Sequence, residues 1–140
     1  MNVQDIVKQM LSAIPPGVAF DHATEVAEAY LASLKHKDPV ARGRLFAETA
    51  IFEDPVGTKP LRGKSELEAF WRSFDGSPMA LDPMLERVVL CGKEALIIFR
   101  LRMSLPGMGE AELLIHETLV FDDDGKIAQV RAYWDERCVG

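Results

Sequence analysis

The sequence predicts an α+β fold, because the two halves of the chain have different hydrophobic periods. In the first half, apolar residues recur at helical spacing. The second half contains four runs rich in Val, Ile, Leu and Phe, at 85–91, 95–104, 110–121 and 127–137, separated by turns rich in glycine and aspartate. Helices followed by a meander of hairpins predict a curved antiparallel sheet with helices on one face and an apolar pocket between the layers.

The N-terminal segment predicts a short amphipathic helix. Apolar side chains recur at near-helical spacing within residues 1–14, and Pro15-Pro16-Gly17 ends the helix and acts as a linker. We therefore expect an N-terminal helical extension at 1–17 and a single α+β domain at 18–140. The extension either packs on the domain or covers a cavity.

Three further helices are predicted within the domain. One covers residues 21–35, whose apolar side chains share one face. The next begins with Asp38 as its N-cap and runs through Phe46. The last begins where Ser65 and Glu68 have the spacing of a capping box.

The composition excludes several classes of function. The chain has 140 residues, which is the length of one domain, and a net charge of −6. Nucleic-acid binding and docking on an anionic membrane both need positive charge, so neither partner is expected. No apolar run reaches the about 18 residues of a membrane span, and no secretory signal is visible, so we expect a cytoplasmic protein.

The cysteines and histidines predict neither a disulfide nor a metal site. Cys91 and Cys138 lie far apart and are expected to be free thiols that fill small apolar spaces. His22, His36 and His116 lack the spacing of metal ligands. The chain is therefore expected to bind no metal.

One segment carries a candidate catalytic residue. A short apolar strand at 50–52 runs into Asp54, which Pro55 holds in an extended conformation and which Gly57 follows at a turn. If the Asp54 side chain faces an apolar pocket, burial raises its pKa and makes it a competent general base. The alternative is structural, since aspartate is common in turns beside proline.

Motifs at four places share their order and spacing with one enzyme family. They are Glu53-Asp54-Pro55-x-Gly57, Tyr30 at 24 residues before Asp54, Phe-Asp-x-x-Gly at 121–125, and Ala-Tyr-Trp at 132–134. Together they resemble the ketosteroid isomerases, the steroid Δ5-isomerases, over about residues 20–137. The resemblance implies the cone-shaped fold of the nuclear-transport-factor-like, or SnoaL-like, superfamily, in which a curved sheet and three helices enclose an apolar pocket.

The resemblance also implies a reaction and the two residues that perform it. In the family, the aspartate of this motif removes a proton from the carbon between a ketone and an alkene, and returns it two carbons further on. A tyrosine donates a hydrogen bond to the oxyanion that forms, and in a dry site this stabilises the charge. Here these residues are Asp54 and Tyr30. The implied ligand is small, apolar and steroid-like, no cofactor is required, and a homodimer is expected.

The sequence departs from the family at the second oxyanion donor. In the family that donor is a protonated aspartate on the third long strand, and counting seven residues back from Phe121 places Leu114 at its position. Leucine cannot donate, so we expect an isomerase that works with Tyr30 alone, and more slowly. Glu112 and His116 share the face of Leu114 if the strand has no bulge, and they are candidate substitutes.

Five side chains are candidates for the wall of the pocket, and for each of them a place in the core is the equal alternative: Leu34, Trp71, Leu114, Val130 and Trp134. Two tyrosines that support the donor in the family are replaced here by Phe46 and Trp71. Tyr30 therefore lacks much of the hydrogen-bond network that would lower its pKa. The alternative role for Tyr30 is that of a core tyrosine.

Two other functions stay open. The same fold serves polyketide cyclases, dehydratases and epoxide hydrolases, which also use a carboxylate in the cone, and the fold does not select among them. A dehydratase is favoured if His116 faces Asp54. Loss of the second donor also fits a non-catalytic protein that binds apolar ligands, although an uncompensated buried carboxylate is costly for such a protein.

Overall fold

A computed structural model describes residues 1–140 and confirms the α+β class, with helices on one face of a six-stranded sheet. The helices lie at Val3–Met10 (α1), Phe20–Lys35 (α2), Pro39–Gly43 (α3) and Lys64–Asp75 (α4). Short 3₁₀ turns follow α1 at Leu11–Ala13 and the last strand at Glu136–Cys138.

The strands form one open, mixed sheet. They lie at Phe46–Glu53 (β1), Leu61–Arg62 (β2), Ala80–Cys91 (β3), Glu94–Leu105 (β4), Gly109–Phe121 (β5) and Ile127–Tyr133 (β6). The spatial order is β2-β1-β6-β5-β4-β3, so β2 and β3 are the edges. Strands β3 to β6 form the predicted antiparallel meander, whereas β1 runs parallel to β6. The hairpins alone predict a wholly antiparallel sheet, and the parallel pairing of β1 with β6 corrects this prediction.

Two predicted helix features are wrong. The helix α3 ends at Gly43, and Phe46 opens β1, where its buried ring packs on Trp71 with 5.0 Å between the ring centroids. The helix α4 begins at Lys64, so Ser65 lies inside the helix and forms no cap. At Phe46, packing on Trp71 places the residue in a strand although the sequence pattern is helical. At α4, the backbone turn at Gly63 starts the helix before the Ser65 of the predicted capping box.

The core lies between the inner face of the sheet and the helices. The helix α2 packs against β3, α4 packs against β1 and β2, and the short α3 contacts both α2 and α4. The buried apolar side chains form one cluster. Alternate residues of β5 enter this cluster, and the residues between them face outward. The helices and the sheet therefore enclose the space in which the polar residues described below meet.

The N-terminal extension lies outside this core. The helix α1 buries no residue, and its apolar side chains, such as Ile6 and Met10, are exposed. The chain joins the domain at the turn between β3 and β4, where the Val18 N–H donates to the Gly92 carbonyl at 3.2 Å. None of the four helices combines the length and the apolar composition that a membrane span requires.

Candidate active site

A cavity opens between the helices and the inner face of the sheet. Most of its wall is apolar or aromatic, and four of its residues bring polar groups to it: Tyr30, Arg42, Asp54 and Glu117. Apolar walls with a few convergent polar groups are typical of small-molecule sites. The cavity is therefore the candidate active site.

Asp54 reaches the cavity because of the strand before it. Phe52 is buried, and Asp54, two residues later, extends the same face of the chain. The segment that follows is tied to β6, since the Val56 N–H donates to the Ala132 carbonyl at 2.8 Å. Asp54 stands at the mouth of the cavity, where one side of it remains exposed.

Two opposing effects act on the Asp54 carboxyl group. Partial burial against apolar neighbours raises the pKa of Asp54, and a hydrogen bond from Trp134 lowers it. In that bond the indole Nε1 donates to Oδ1 of Asp54 at 2.8 Å. Because solvent still reaches the side chain, desolvation is incomplete. A partly desolvated carboxylate that is held by one donor is suited to act as a general base.

Tyr30 faces the cavity from α2. Its side chain is 3% exposed, and its ring packs edge-on against Phe46 with 5.8 Å between the centroids. Burial raises the pKa of Tyr30 well above its usual value, the negative charges of Glu117 and Asp54 in their ionised forms raise it further, and Arg42 lowers it. The phenol therefore keeps its proton and is available as a hydrogen-bond donor.

Glu117 is the residue that the sequence analysis missed. It faces the cavity from β5, it is 2% exposed, and its Oε1 atom has no hydrogen-bond partner in the protein. Burial, followed by the negative charge of Asp54, raises the pKa of Glu117 to about 8. At neutral pH the side chain is therefore a carboxylic acid, which can donate a hydrogen bond.

The sequence contains a signal for Glu117. The buried residues of β5 are every second one: Leu113, Ile115, Glu117, Leu119 and Phe121. Glu117 is the one charged member of this apolar row, and a charged residue in such a row needs an explanation. Side chains of a strand alternate between its two faces, so an odd count from the buried Phe121 leads to the outer face. The count of seven residues therefore selects Leu114 on the outer face, whereas a count of four leads to Glu117 on the inner face.

The expected register on β5 is therefore corrected. Leu114, Glu112 and His116 share one face, but that face is the outer one, and none of them lines the cavity. Glu112 is paired there with Arg100 at 3.2 Å, and His116 lies in a separate surface groove. The interpretation that the chain lacks a second acid in its pocket is also corrected, because Glu117 supplies one.

The other predicted wall residues are found in three places. Leu34 and Trp71 line the cavity itself. Trp134 does not line the cavity but the surface groove that also contains His116, and its indole N–H donates to Asp54. Val130 is fully buried behind the wall, opposite Phe52 in the ladder between β1 and β6. Val130 is thus a core residue.

The cavity is small. Its volume is ≈70 Å³, below the about 300–1,000 Å³ of typical sites for drug-sized ligands. Phe70 lies at its rim, 40% exposed, with its ring 6.0 Å from that of Phe52 and 6.3 Å from that of Phe74. The cavity therefore has no room for the whole of a bulky ligand with Phe70 in this position.

We expect the buried acid to lower stability at alkaline pH. The Glu117 carboxyl group ionises near pH 4.5 in the unfolded chain but holds its proton up to about pH 8 in the folded one. Within this window the unfolded state binds fewer protons than the folded state, so the free energy of unfolding falls as the pH rises. Glu117→Gln removes this loss. Thermal unfolding should show that the variant gains ~2–5 kcal/mol on the parent between about pH 5 and about pH 8.

The prediction concerns how the stability difference between Glu117→Gln and the parent changes with pH. The same difference at about pH 5 and at about pH 8 would contradict it. Glu112→Gln is the matched control, because it makes the same chemical change on the outer face of the same strand, where the side chain is paired with Arg100. It should show no such gain at alkaline pH.

Sequence comparison with known proteins identifies the family. The SnoaL-like domain family matches residues 27–130. A steroid Delta-isomerase of Nocardioides simplex is 30% identical over 107 residues, which cover 75% of this chain and 83% of that protein.

Solved structures of three proteins share the fold. The Δ5-3-ketosteroid isomerase from Mycobacterium sp. matches with a TM-score of 0.72 and 23% identity, over 85% of this chain and 97% of that one. The epoxide hydrolase/cyclase-like enzyme SalBIII, which acts in pyran ring formation in the polyether salinomycin, matches with a TM-score of 0.73 and 20% identity, over 84% and 93%. An LEH-like epoxide hydrolase of M. tuberculosis gives the same TM-score and identity, over 84% and 86%. The chain therefore belongs to the SnoaL-like domain family and is a relative of steroid Delta-isomerase.

Proposed function

We propose that this chain is a ketosteroid isomerase-like enzyme, which moves a double bond into conjugation with a ketone by transferring one proton. The observation that carries the proposal is the meeting of Asp54, Tyr30 and Glu117 in one apolar cavity. A carboxylate, a phenol and a neutral carboxylic acid are the base and the two donors that this reaction needs. The relation to a steroid Delta-isomerase supports a steroid-like ketone as the substrate.

Asp54 is the proposed base. Its carboxylate takes the proton from the carbon between the ketone and the alkene, and the electrons of that C–H bond move into a dienolate. The negative charge comes to lie on the ketone oxygen. Asp54 then gives the same proton to the far carbon of the dienolate, the carbonyl group forms again, and the carboxylate is restored. No electron or proton is gained or lost overall, so the cycle needs no co-reactant.

Tyr30 and Glu117 are the proposed donors to the oxyanion. Burial raises the pKa of both groups, so both keep their protons at neutral pH. They lie deeper than Asp54, which is exposed at the mouth. A substrate that enters ketone first therefore brings its oxygen to the two donors and its reacting carbon to the base. Hydrogen bonds to a developing charge are strongest in such a dry site.

The activity is tested by the ultraviolet absorbance of a 5-ene-3-ketosteroid, which rises as the conjugated 4-ene isomer forms. We expect a rate proportional to the protein concentration. Steroid binding is followed in parallel through the fluorescence of Trp71 and Trp134, the two tryptophans of the chain. Binding without any rise in absorbance would contradict isomerase activity and would favour a non-catalytic binding protein.

A second candidate function is the opening of an epoxide by water or by a hydroxyl group. The two carboxyl groups favour it, because a neutral Glu117 can protonate the epoxide oxygen while an ionised Asp54 activates the attacking O–H group. Two structures of the same fold are epoxide hydrolase-like enzymes. An alkyl-substituted cyclohexene oxide serves as the probe. Diol formation that is faster than ketosteroid isomerisation would replace the first proposal by this one.

Trp134→Phe should move the acidic limb of the pH profile of kcat/KM to higher pH. The indole N–H stabilises the ionised form of Asp54, so its loss raises the pKa of Asp54 further. The base then ionises only at a higher pH. Tyr133→Phe is the matched control, because Tyr133 is the adjacent residue on the exposed face. A limb that stays in place in Trp134→Phe would contradict the role of this hydrogen bond.

A further inference from the structure

A buried arginine borders the cavity near Tyr30, and the reaction described above does not use it. Arg42 belongs to α3, it has no exposed surface, and it lines the cavity. A guanidinium group without solvent contact is costly unless it is paired, and an apolar side chain would occupy the same place at a lower cost.

Hydrogen bonds from Arg42 connect three helices. Its Nη1 and Nη2 atoms donate to the carboxylate of Asp75, at the end of α4, at 3.1 and 3.2 Å. Its Nε atom donates to the Ser33 hydroxyl at 3.1 Å, and Nη2 donates to the Ser33 carbonyl at 2.7 Å. The Ser33 hydroxyl in turn donates to the Tyr30 carbonyl. Arg42 therefore holds the turn of α2 that carries Tyr30.

The two ends of the Arg42–Asp75 ion pair differ in their position relative to the cavity. Arg42 is one of the residues that line the cavity, whereas Asp75 is not, and the Asp75 side chain is 10% exposed while that of Arg42 has no exposed surface. On the cavity side, Arg42 lies 5.3 Å from the ring centroid of Trp71, which packs on Phe46, which packs on Tyr30. The positive end of the pair thus faces the rings around Tyr30.

We propose that Arg42 is a positioning residue for the reaction, which fixes the turn that bears Tyr30 and directs positive potential into the cavity where the oxyanion forms. The proposal rests on the proposed function of this site. Asp54 and Glu117 are the other titratable groups that face Tyr30 across the cavity, and Arg42 is the one cationic group among the lining residues. Its charge acts on Tyr30 in the stabilising direction, since it lowers the pKa of the phenol.

This role explains how Tyr30 functions with apolar neighbours. The resemblance to ketosteroid isomerases places supporting tyrosines at the positions of Phe46 and Trp71. Phenylalanine has no donor and the Trp71 indole N–H has no hydrogen-bond partner, so neither residue donates a hydrogen bond to the Tyr30 hydroxyl. A cation that acts through aromatic rings needs no hydrogen bond to the phenol, because the electrostatic potential of a buried charge extends over several ångströms. Arg42 thus supplies by charge what the apolar neighbours of Tyr30 cannot supply by hydrogen bonding.

The binding of para-nitrophenol tests this proposal without turnover. The phenolate oxygen of the probe stands for the dienolate oxygen, and its visible absorbance reports the ionised form. Para-nitroanisole, which has no ionisable hydroxyl, is the neutral comparison. The background is Asp54→Asn, which removes the charge of the base, so the result does not depend on isomerase activity.

Two changes at the ion pair should act in opposite directions. Arg42→Met combined with Asp75→Leu replaces the pair by apolar side chains, which buried ion pairs commonly tolerate. It should weaken nitrophenolate binding by about tenfold and leave nitroanisole binding unchanged. Asp75→Asn removes the negative end alone and should strengthen nitrophenolate binding. A purely structural role predicts that both changes weaken the binding of both probes.

Circular dichroism shows whether each variant is folded. An unchanged nitrophenolate affinity in the folded double variant overturns the proposal, and so does an equal loss for both probes. If Asp75→Asn does not fold, Arg42→Lys replaces it in the Asp54→Asn background, and it should keep most of the nitrophenolate affinity because it keeps the charge. Tyr30→Phe distinguishes a failure of the proposed active site from a failure of the proposed role of Arg42. If it leaves nitrophenolate binding unchanged, the proposed site fails, whereas if it weakens binding and the Arg42 variants do not, only the Arg42 proposal fails.

Discussion

Asp54→Asn should lower the kcat of ketosteroid isomerisation by about 10⁴-fold, the upper end of the range for loss of a general base. Asparagine has nearly the same shape as aspartate, and its amide oxygen can accept the hydrogen bond that Trp134 donates to Asp54. The mouth of the cavity is therefore preserved, and KM should change little. The amide cannot hold the transferred proton, so both proton-transfer steps lose their carrier.

The ultraviolet absorbance assay of isomerisation measures this effect. Asp123→Asn is the matched control, because it makes the same chemical change in the exposed turn between β5 and β6. It should keep the activity of the parent. Activity close to that of the parent in a folded Asp54→Asn variant would contradict the role of Asp54 as the base.

Glu117→Leu should lower kcat by about 10²–10³-fold, as expected when one of two oxyanion donors is lost. Leucine fills the buried space but donates no hydrogen bond, so Tyr30 alone remains. The change also removes the unpartnered Oε1 atom, so the variant is expected to fold. Glu117→Gln keeps an N–H donor at this place and should lose less activity than Glu117→Leu.

The pH dependence distinguishes a donating acid from a residue that only packs. Because the pKa of Glu117 is raised to about 8, the parent should lose activity as the pH rises through that value, where the group loses the proton that it donates. Glu117→Gln should lack this alkaline limb, because an amide does not titrate there. Leu114→Asp, on the outer face of the same strand, should not raise activity. An alkaline limb that persists in Glu117→Gln would contradict the assignment.

The fold class was predictable because it depends on local hydrophobic periods. The boundary near Phe46 was not, since a helical and a strand assignment both bury this residue, and its packing on Trp71 decides between them. The parallel pairing of β1 with β6 was also not predictable from the hairpins. It depends on where the intervening helices place β1, and no local pattern of residues reports that.

The candidate site was predictable where a motif has a fixed spacing and not where it depends on strand register. Asp54 and Tyr30 were selected because their motif and their separation resemble those of ketosteroid isomerases, and they line one cavity. Glu117 was missed because the count from Phe121 selected a position three residues away, and a shift by an odd number of residues along a strand exchanges the inner face for the outer one. Arg42 was missed for another reason. Its partner Asp75 is 33 residues away in the sequence, and a buried ion pair leaves no periodic signal.

The fate of the transferred proton shows whether one carboxylate carries it from the first carbon to the second. A ketosteroid that carries deuterium between the ketone and the alkene is isomerised in ordinary water, and mass spectrometry with NMR locates the label in the product. If the Asp54 carboxylate at the mouth of the apolar cavity both removes and returns the proton, a substantial fraction of the deuterium should appear on the far carbon of the former alkene. A conjugated product without deuterium at that carbon would contradict transfer by one carboxylate.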